Sequence, residues 1–280
     1  MRVISAFVAP LVSGIFICTT SQAQETDSTH FTLGVKLWSA SWQSYTPATY
    51  SGVSASGAPA LGESVNLVEG SRRTNVLPTL NISREKYFLS ASYGRFASDF
   101  PVSTNPLVTQ GGTLITSRSD HFVRREGDVG IGYLVTPQVG LSITYKDAIE
   151  DRSTTLSITP QSSPLLKTEA RALLLGASGN FPIQDKLRLY TQLAFGPARL
   201  KLRFADPTIP SYDTHGQYLI GEVGLIYPFA MGYGGIHSAS IAVGYRSQTF
   251  KTASHGLIFH ETRDLRDVRE GLVVSLSVTI

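Results

Sequence analysis

The sequence predicts an all-β chain that closes into a single antiparallel transmembrane β-barrel of about ten strands, with eight or twelve as the neighbouring counts. Three observations carry this prediction. Segments that alternate apolar and polar residues recur along the chain, the connections between them alternate short and long, and beyond residue 30 no apolar run reaches the roughly 20 residues a membrane-crossing helix requires. Composition agrees: 42% of the 280 residues are hydrophobic and only 16% charged, too apolar for a disordered chain, and a single cysteine excludes a disulfide scaffold. A formal net charge of +3 gives no ground for nucleic-acid binding.

Residues 1–23 have the layout of a cleaved secretory signal: basic Arg2, an apolar stretch over 3–17, then a small polar run with Ala23 at its end. Pro10 and Gly14 make that stretch a poor anchor helix, and bulky Ile15, Phe16 and Ile17 argue against lipid attachment at Cys18. Export is expected to remove the only cysteine and leave 24–280 as the barrel domain.

The elements follow in order. Phe31, Leu33, Val35 and Leu37 share one face of the first segment, and Val76, Pro78, Leu80 and Ile82 one face of the second. Tyr87, Leu89, Ala91 and Tyr93 make the third, Val129, Ile131 and Tyr133 the fourth, and Val139, Leu141, Ile143 and Tyr145 the fifth. Leu173, Leu175 and Ala177 then oppose Gly176 and Ser178, while Leu187, Leu189, Leu193 and Phe195 oppose Arg188, Tyr190 and Gln192. Leu219, Val223, Leu225 and Tyr227 form the eighth stripe, Ile241, Val243 and Tyr245 the ninth, and Leu272 through Ile280 at every second position the last.

Connections 84–86, 134–138 and 182–186 are short, and 228–237 is Gly-rich, whereas 43–73, 96–119, 149–167, 205–215 and 247–270 are long. A membrane barrel sorts its loops this way, with short periplasmic turns and long external loops, and an even count returns both termini to one side. Phe31, Tyr133 and Tyr227 fall beside the short turns, Tyr93, Tyr145, Phe195 and Tyr245 near the long loops, as an aromatic girdle at each interface requires.

The Gly-rich strand, Thr-Pro turn and alternating strand over 127–145, with the closing strand of Leu272, Val274, Leu276 and Val278, resemble the Gram-negative outer-membrane β-barrel proteins, small porin-like members in particular. The terminal residue is Ile280 where such barrels characteristically end on an aromatic. The resemblance implies a place in the outer membrane, contact with outer-membrane lipid including lipopolysaccharide, insertion through recognition of the last strand, and no cofactor. It implies a porin-like or structural protein, holding or passing a small solute.

Lumen-facing positions include Lys36, Asp128, Lys146, Arg188, Tyr190, Glu222 and Arg246, with Trp38, Gln192 and Tyr218. Either these charges pair with one another, because an unpaired buried ion is costly, or they line a narrow polar pocket. Arg72, Arg73, Arg124 and Arg125 are expected at the external rim, where guanidinium groups could hold lipid phosphates. His121, Glu126, His255, His260 and Glu261 are placed outside the membrane band, and His237 with Ser238 at a periplasmic turn. A second reading is a surface hydrolase. Asp213 and His215 match by type and spacing the Asp and His of omptin proteases, although the loops hold no Asp-x-Asp partner; lipid-modifying barrel enzymes are the other hydrolase class. An adhesin-like surface protein is the third reading. No Cys cluster or His-x-x-x-His pair points to a metal.

Overall fold

The computed structural model describes residues 28–53, 59–109, 112–156, 159–205, 207, 211–233, 235–255 and 262–280, so the signal segment, His260 and Glu261 lie outside the described residues. Ten strands follow one another: β1 Thr29–Val53, β2 Pro59–Arg84, β3 Tyr87–Thr109, β4 Gly112–Thr136, β5 Val139–Leu156, β6 Thr159–Pro182, β7 Arg188–Phe204, β8 Tyr212–Tyr233, β9 Ile236–His255 and β10 Thr262–Thr279. Each pairs antiparallel with its neighbour in sequence, and β1 pairs with β10 from Thr32 opposite Thr279 to Ser44 opposite Asp267, closing the barrel.

The period of two sorts the described side chains between two faces. Outward positions form an apolar band, with Ile131 62% and Leu175 68% exposed alongside Leu33, Leu141, Ile143, Val223, Val243 and Leu276. So much contiguous apolar surface is unstable in water and natural against hydrocarbon. Tyr87 and Tyr133 meet edge to face at the turn end, 5.3 Å between centroids, and Tyr93, Tyr145 and Tyr245 cap the band at the other end. Inward positions pack the lumen instead: Trp38, Phe100, Tyr218, Lys146 and Ser240 are wholly buried.

The connections are tight at one end. A two-residue turn at Glu85 and Lys86 joins β2 to β3, with Glu85 at φ 52° in the left-handed region. Between β4 and β5 the Thr136 hydroxyl oxygen accepts the N–H groups of Gln138 (3.2 Å) and Val139 (3.0 Å), holding the Pro137 turn.

At the other end, most of what the sequence reads as long loops is more strand. β1 and β2 continue paired to Val53 opposite Pro59, and β3 and β4 to Thr109 opposite Gly112. Above the membrane both faces of a hairpin are wetted, so the ladder of hydrogen bonds persists after the apolar alternation has ended. The residues around Gly112 therefore extend the β3–β4 hairpin rather than forming a further one, and the barrel has ten strands among the described residues.

Ile143 lies mid-band on β5 and Thr155 outward above it on the same strand. In urea titrations of refolding into phosphatidylcholine vesicles, Ile143→Arg is expected to cost about 2–4 kcal/mol, and Thr155→Arg to stay within about 0.5 kcal/mol of the native chain.

Candidate functional site

The lumen is crossed by a girdle of paired charges in two linked tiers. In the first, Glu222 on β8 takes three donors: Lys36 Nζ from β1 at 3.2 Å, Arg246 Nη1 from β9 at 3.3 Å and the Tyr190 hydroxyl from β7 at 2.9 Å. Glu222 and Arg246 stand directly opposite in the ladder, which fixes that pair by register alone. Tyr190 reaches across because Gly224 and Gly244, also opposite one another, leave room for its ring; a Cβ on either would collide with it. The Arg246 guanidinium lies 5.0 Å over the Trp38 ring.

The second tier is centred on Glu126 of β4. Its carboxylate accepts from Gln248 Nε2 at both oxygens (3.0 Å each) and from Arg269 of β10, and it forms ion pairs with Lys146 Nζ (2.9 Å) and Arg124 Nε (2.6 Å). Lys146 also binds Asp128 Oδ1 at 2.8 Å, and Ser92 donates to Asp128 Oδ2 at 3.0 Å. Arg269 Nε and Nη1 have no hydrogen-bond partner; its guanidinium lies instead 4.2 Å from the Phe96 centroid and 5.3 Å from that of Trp42, inside an aromatic wall completed by Phe100 and Phe122. The ring faces supply the electrostatic contact that hydrogen bonds do not.

Arg124 carries the network upward. Its Nη1 lies 3.2 Å from Glu150 Oε2 and 3.6 Å from Asp267 Oδ1, while Arg152 Nε binds Glu150 Oε1 at 2.5 Å and Trp42 Nε1 donates to Asp267 Oδ2 at 2.9 Å. Above these charges, at the end with the long hairpins, lies a vestibule of about 80 Å³. Arg124, Glu150, Arg152 and Asp267 line one side of it, and Leu200, Leu202 and Phe250 the other. Toward the turn end the lumen is lined by small polar residues, among them the half-buried Ser90, Ser142 and Ser178.

The sequence-derived lumen set is thus brought together on the inner face. Lys36, Tyr190, Glu222 and Arg246 join in one tier, Asp128 and Lys146 in the other, and Arg188 stands apart at the turn end of β7. Arg124 is corrected: it is only 3% exposed and faces the lumen, so it cannot hold a lipid phosphate. Neighbouring residues of a strand point to opposite faces, and of the pair only Arg125 points outward, to Asp151 at 2.7 Å. Glu126 likewise belongs to the lumen. Asp213 and His215 lie exposed on the outer wall of β8, opposite Lys201 and Arg199, with no hydrogen bond between them, and Ser238 faces the lumen while His237 lies 6.0 Å from the His30 ring. Glu150, Arg152, Asp267 and Arg269 escape sequence reasoning because they lie in stretches read as loops, although the parity of 128, 130 and 132 on β4, carried two steps back, marks 124 and 126 as inward.

The outer wall above the aromatic ring carries its own charges. Arg95 stands directly opposite Arg125, and Arg171 opposite Arg199. Arg171 binds Asp147 at 3.3 Å, Arg73 binds Asp99, and the other oxygen of Asp99 meets His121 Nδ1 at 2.6 Å.

No protein-family model and no curated sequence matches the chain. Among solved structures, it is similar to the outer membrane protease OmpT of Escherichia coli at 9% identity and a TM-score of 0.50, covering 93% of this chain and 99% of that one. The outer membrane protein OprG of Pseudomonas aeruginosa matches at 10% identity and TM-score 0.31, over 91% of this chain and 97% of that one. The toluene transporter TodX of Pseudomonas putida matches at 11% identity and TM-score 0.29, over 92% and 90%. The chain has the fold of the outer-membrane β-barrels, and at these identities the likeness is one of fold alone.

Removing one acid from a buried ion network strands the cations around it. Glu126→Ala, which leaves Arg124, Lys146 and Arg269 facing one another, is expected to lower stability by about 3–5 kcal/mol in the same vesicle-refolding titration.

Proposed function

We propose that the chain is an outer-membrane protein of a Gram-negative bacterium, exported by its signal segment and inserted through its last strand, whose lumen is closed to free diffusion and serves as a pocket for a small solute on the external side. The observation that supports this most is the girdle itself: two tiers of ion-paired charges join β1, β4, β5, β8, β9 and β10 across the lumen and leave the vestibule above them. At about 80 Å³ the vestibule is well below the roughly 300 Å³ of a drug-sized site, so a small solute is the fitting occupant. Its lining sorts such a solute, polar part to Arg152 and apolar part to Leu200 and Phe250.

The likeness to a protease structure brings no catalytic assignment, because Asp213 and His215 point away from the lumen and no acidic pair faces them among the described residues. In planar bilayers the native chain is expected to show no steady conductance, and the double variant Glu126→Ala with Arg269→Ala to open stepwise ohmic channels. Steady ohmic conductance of the native chain would overturn the closed-lumen reading.

Outer-membrane lipid is the partner we propose for the outer wall. Like charges directly across a ladder repel, and an anion between Arg95 and Arg125, or between Arg171 and Arg199, removes that cost. Arg72 and Arg73 stand exposed on β2 beside this surface, while Arg124 is withdrawn from it. The expected outcome is a rise in melting temperature on adding lipopolysaccharide to the refolded barrel that falls by half or more in the Arg95→Gln, Arg199→Gln double variant, followed by heat-modifiable migration on gels.

A further inference from the structure

We propose that Asp99, His121 and Ser153 form a hydrolytic site for carboxylic esters on the outer wall of the barrel. The three stand in one row across adjacent strands: Asp99 of β3 is paired directly with His121 of β4, and His121 directly with Ser153 of β5. All three occupy positions of the outward parity, His121 and Asp99 nearly half exposed and Ser153 partly so. Directly paired residues have Cβ atoms about 5 Å apart, which puts a serine hydroxyl within reach of the imidazole.

The contact already made has the polarity such chemistry needs. Asp99 Oδ1 meets Nδ1 of His121 at 2.6 Å, so the carboxylate holds the tautomer that carries its proton on Nδ1 and leaves Nε2 as the acceptor. Arg73 binds the other carboxylate oxygen and fixes the plane of Asp99. At Ser153 the ladder to β6 slips by a residue, between Arg152 and Ser153, a distortion that re-aims a side chain and recurs beside active sites. Neither the vestibule nor the girdle uses any of these groups.

The step is acyl transfer. Ser153 Oγ bonds to the ester carbonyl carbon as its proton passes to His121 Nε2. Collapse of the adduct breaks the bond to the alcohol oxygen, which leaves with that proton. Water, deprotonated by the same Nε2, then adds to the acylated serine and releases the carboxylic acid and the free hydroxyl. Asp99 is a positioning residue. The row lies six residues beyond Tyr93, about 20 Å along the strand and roughly 15 Å above the apolar edge once tilt is allowed for. The substrate is therefore an ester presented in the polar zone above the acyl chains, borne on a lipid headgroup or free in solution.

The test uses the full chain refolded in detergent micelles, with heat-modifiable migration as the check on folding. A fluorophosphonate is expected to label Ser153, located by peptide mass spectrometry, and the label to disappear in Ser153→Ala and fall by 100-fold or more in rate in His121→Ala. Asp99→Asn should slow labelling and Asp99→Glu restore most of it, a pattern that loss of a merely structural contact does not produce. Turnover of short-chain p-nitrophenyl esters against micelles of phosphatidylglycerol acylated on its headgroup glycerol separates a soluble from a headgroup-borne substrate. A folded barrel without a Ser153 adduct, an adduct on Ser119 in its place, or undiminished labelling in His121→Ala each overturns the proposal.

Discussion

A strand surrounded by hydrocarbon cannot leave its backbone N–H and C=O groups unpaired, and in this chain the pairing of β1 with β10 is where that requirement is finally met. Without it two edges would face lipid. With it every strand has two neighbours, and the rest of the architecture follows from parity: along each strand alternate residues are given to the membrane and to the lumen. The apolar band, the aromatic ends and the charged interior are one pattern seen from its two sides.

Parity also explains why the interior is charged and still stable. Ten strands enclose a lumen too narrow for bulk water around every ion, so the charges must find one another. Glu222 and Glu126 solve this by each collecting several donors from separate strands, and the aromatic wall of Trp38, Trp42 and Phe96 accepts the faces of Arg246 and Arg269. The small side chains toward the turns pair with one another locally: Ser240 binds Ser277 at 2.7 Å and Thr32 binds Thr279 at 3.0 Å.

The membrane band was legible in the sequence because lipid on one face forces a period of two, and from that period both the ten strands and the inward set around Lys36, Lys146 and Glu222 could be read. The external half was not. Beyond Phe96 or Ile149 both faces are wetted, apolar alternation lapses, and strand looks like loop; in a loop Arg124 and Arg125 would share the rim, whereas the geometry of a strand sends their side chains to opposite faces. The Asp99 and His121 contact was hidden for another reason: the two are 22 residues apart, and only the register of β3 on β4 brings them together. Asp213 and His215 illustrate the converse, since one intervening residue does put them on the same face, but the face is the outer one.

Glu126 also bears on the order of events during folding. Arg269, its partner from β10, lies 143 residues further along the chain, and Lys146, from β5, lies 20. The local pair can form as soon as the β4–β5 hairpin exists, leaving a carboxylate partly neutralised and waiting, whereas Arg269 arrives only when the last strand seals the seam. The hub therefore acts as a latch: its final ion pair reports that the cylinder has closed, and a chain stalled before closure retains an acid in its lumen that lacks its most distant cation. Contacts of such long range are slow to form and, once made, slow to undo, so the latch contributes more to how long the closed barrel lasts than to how quickly it assembles.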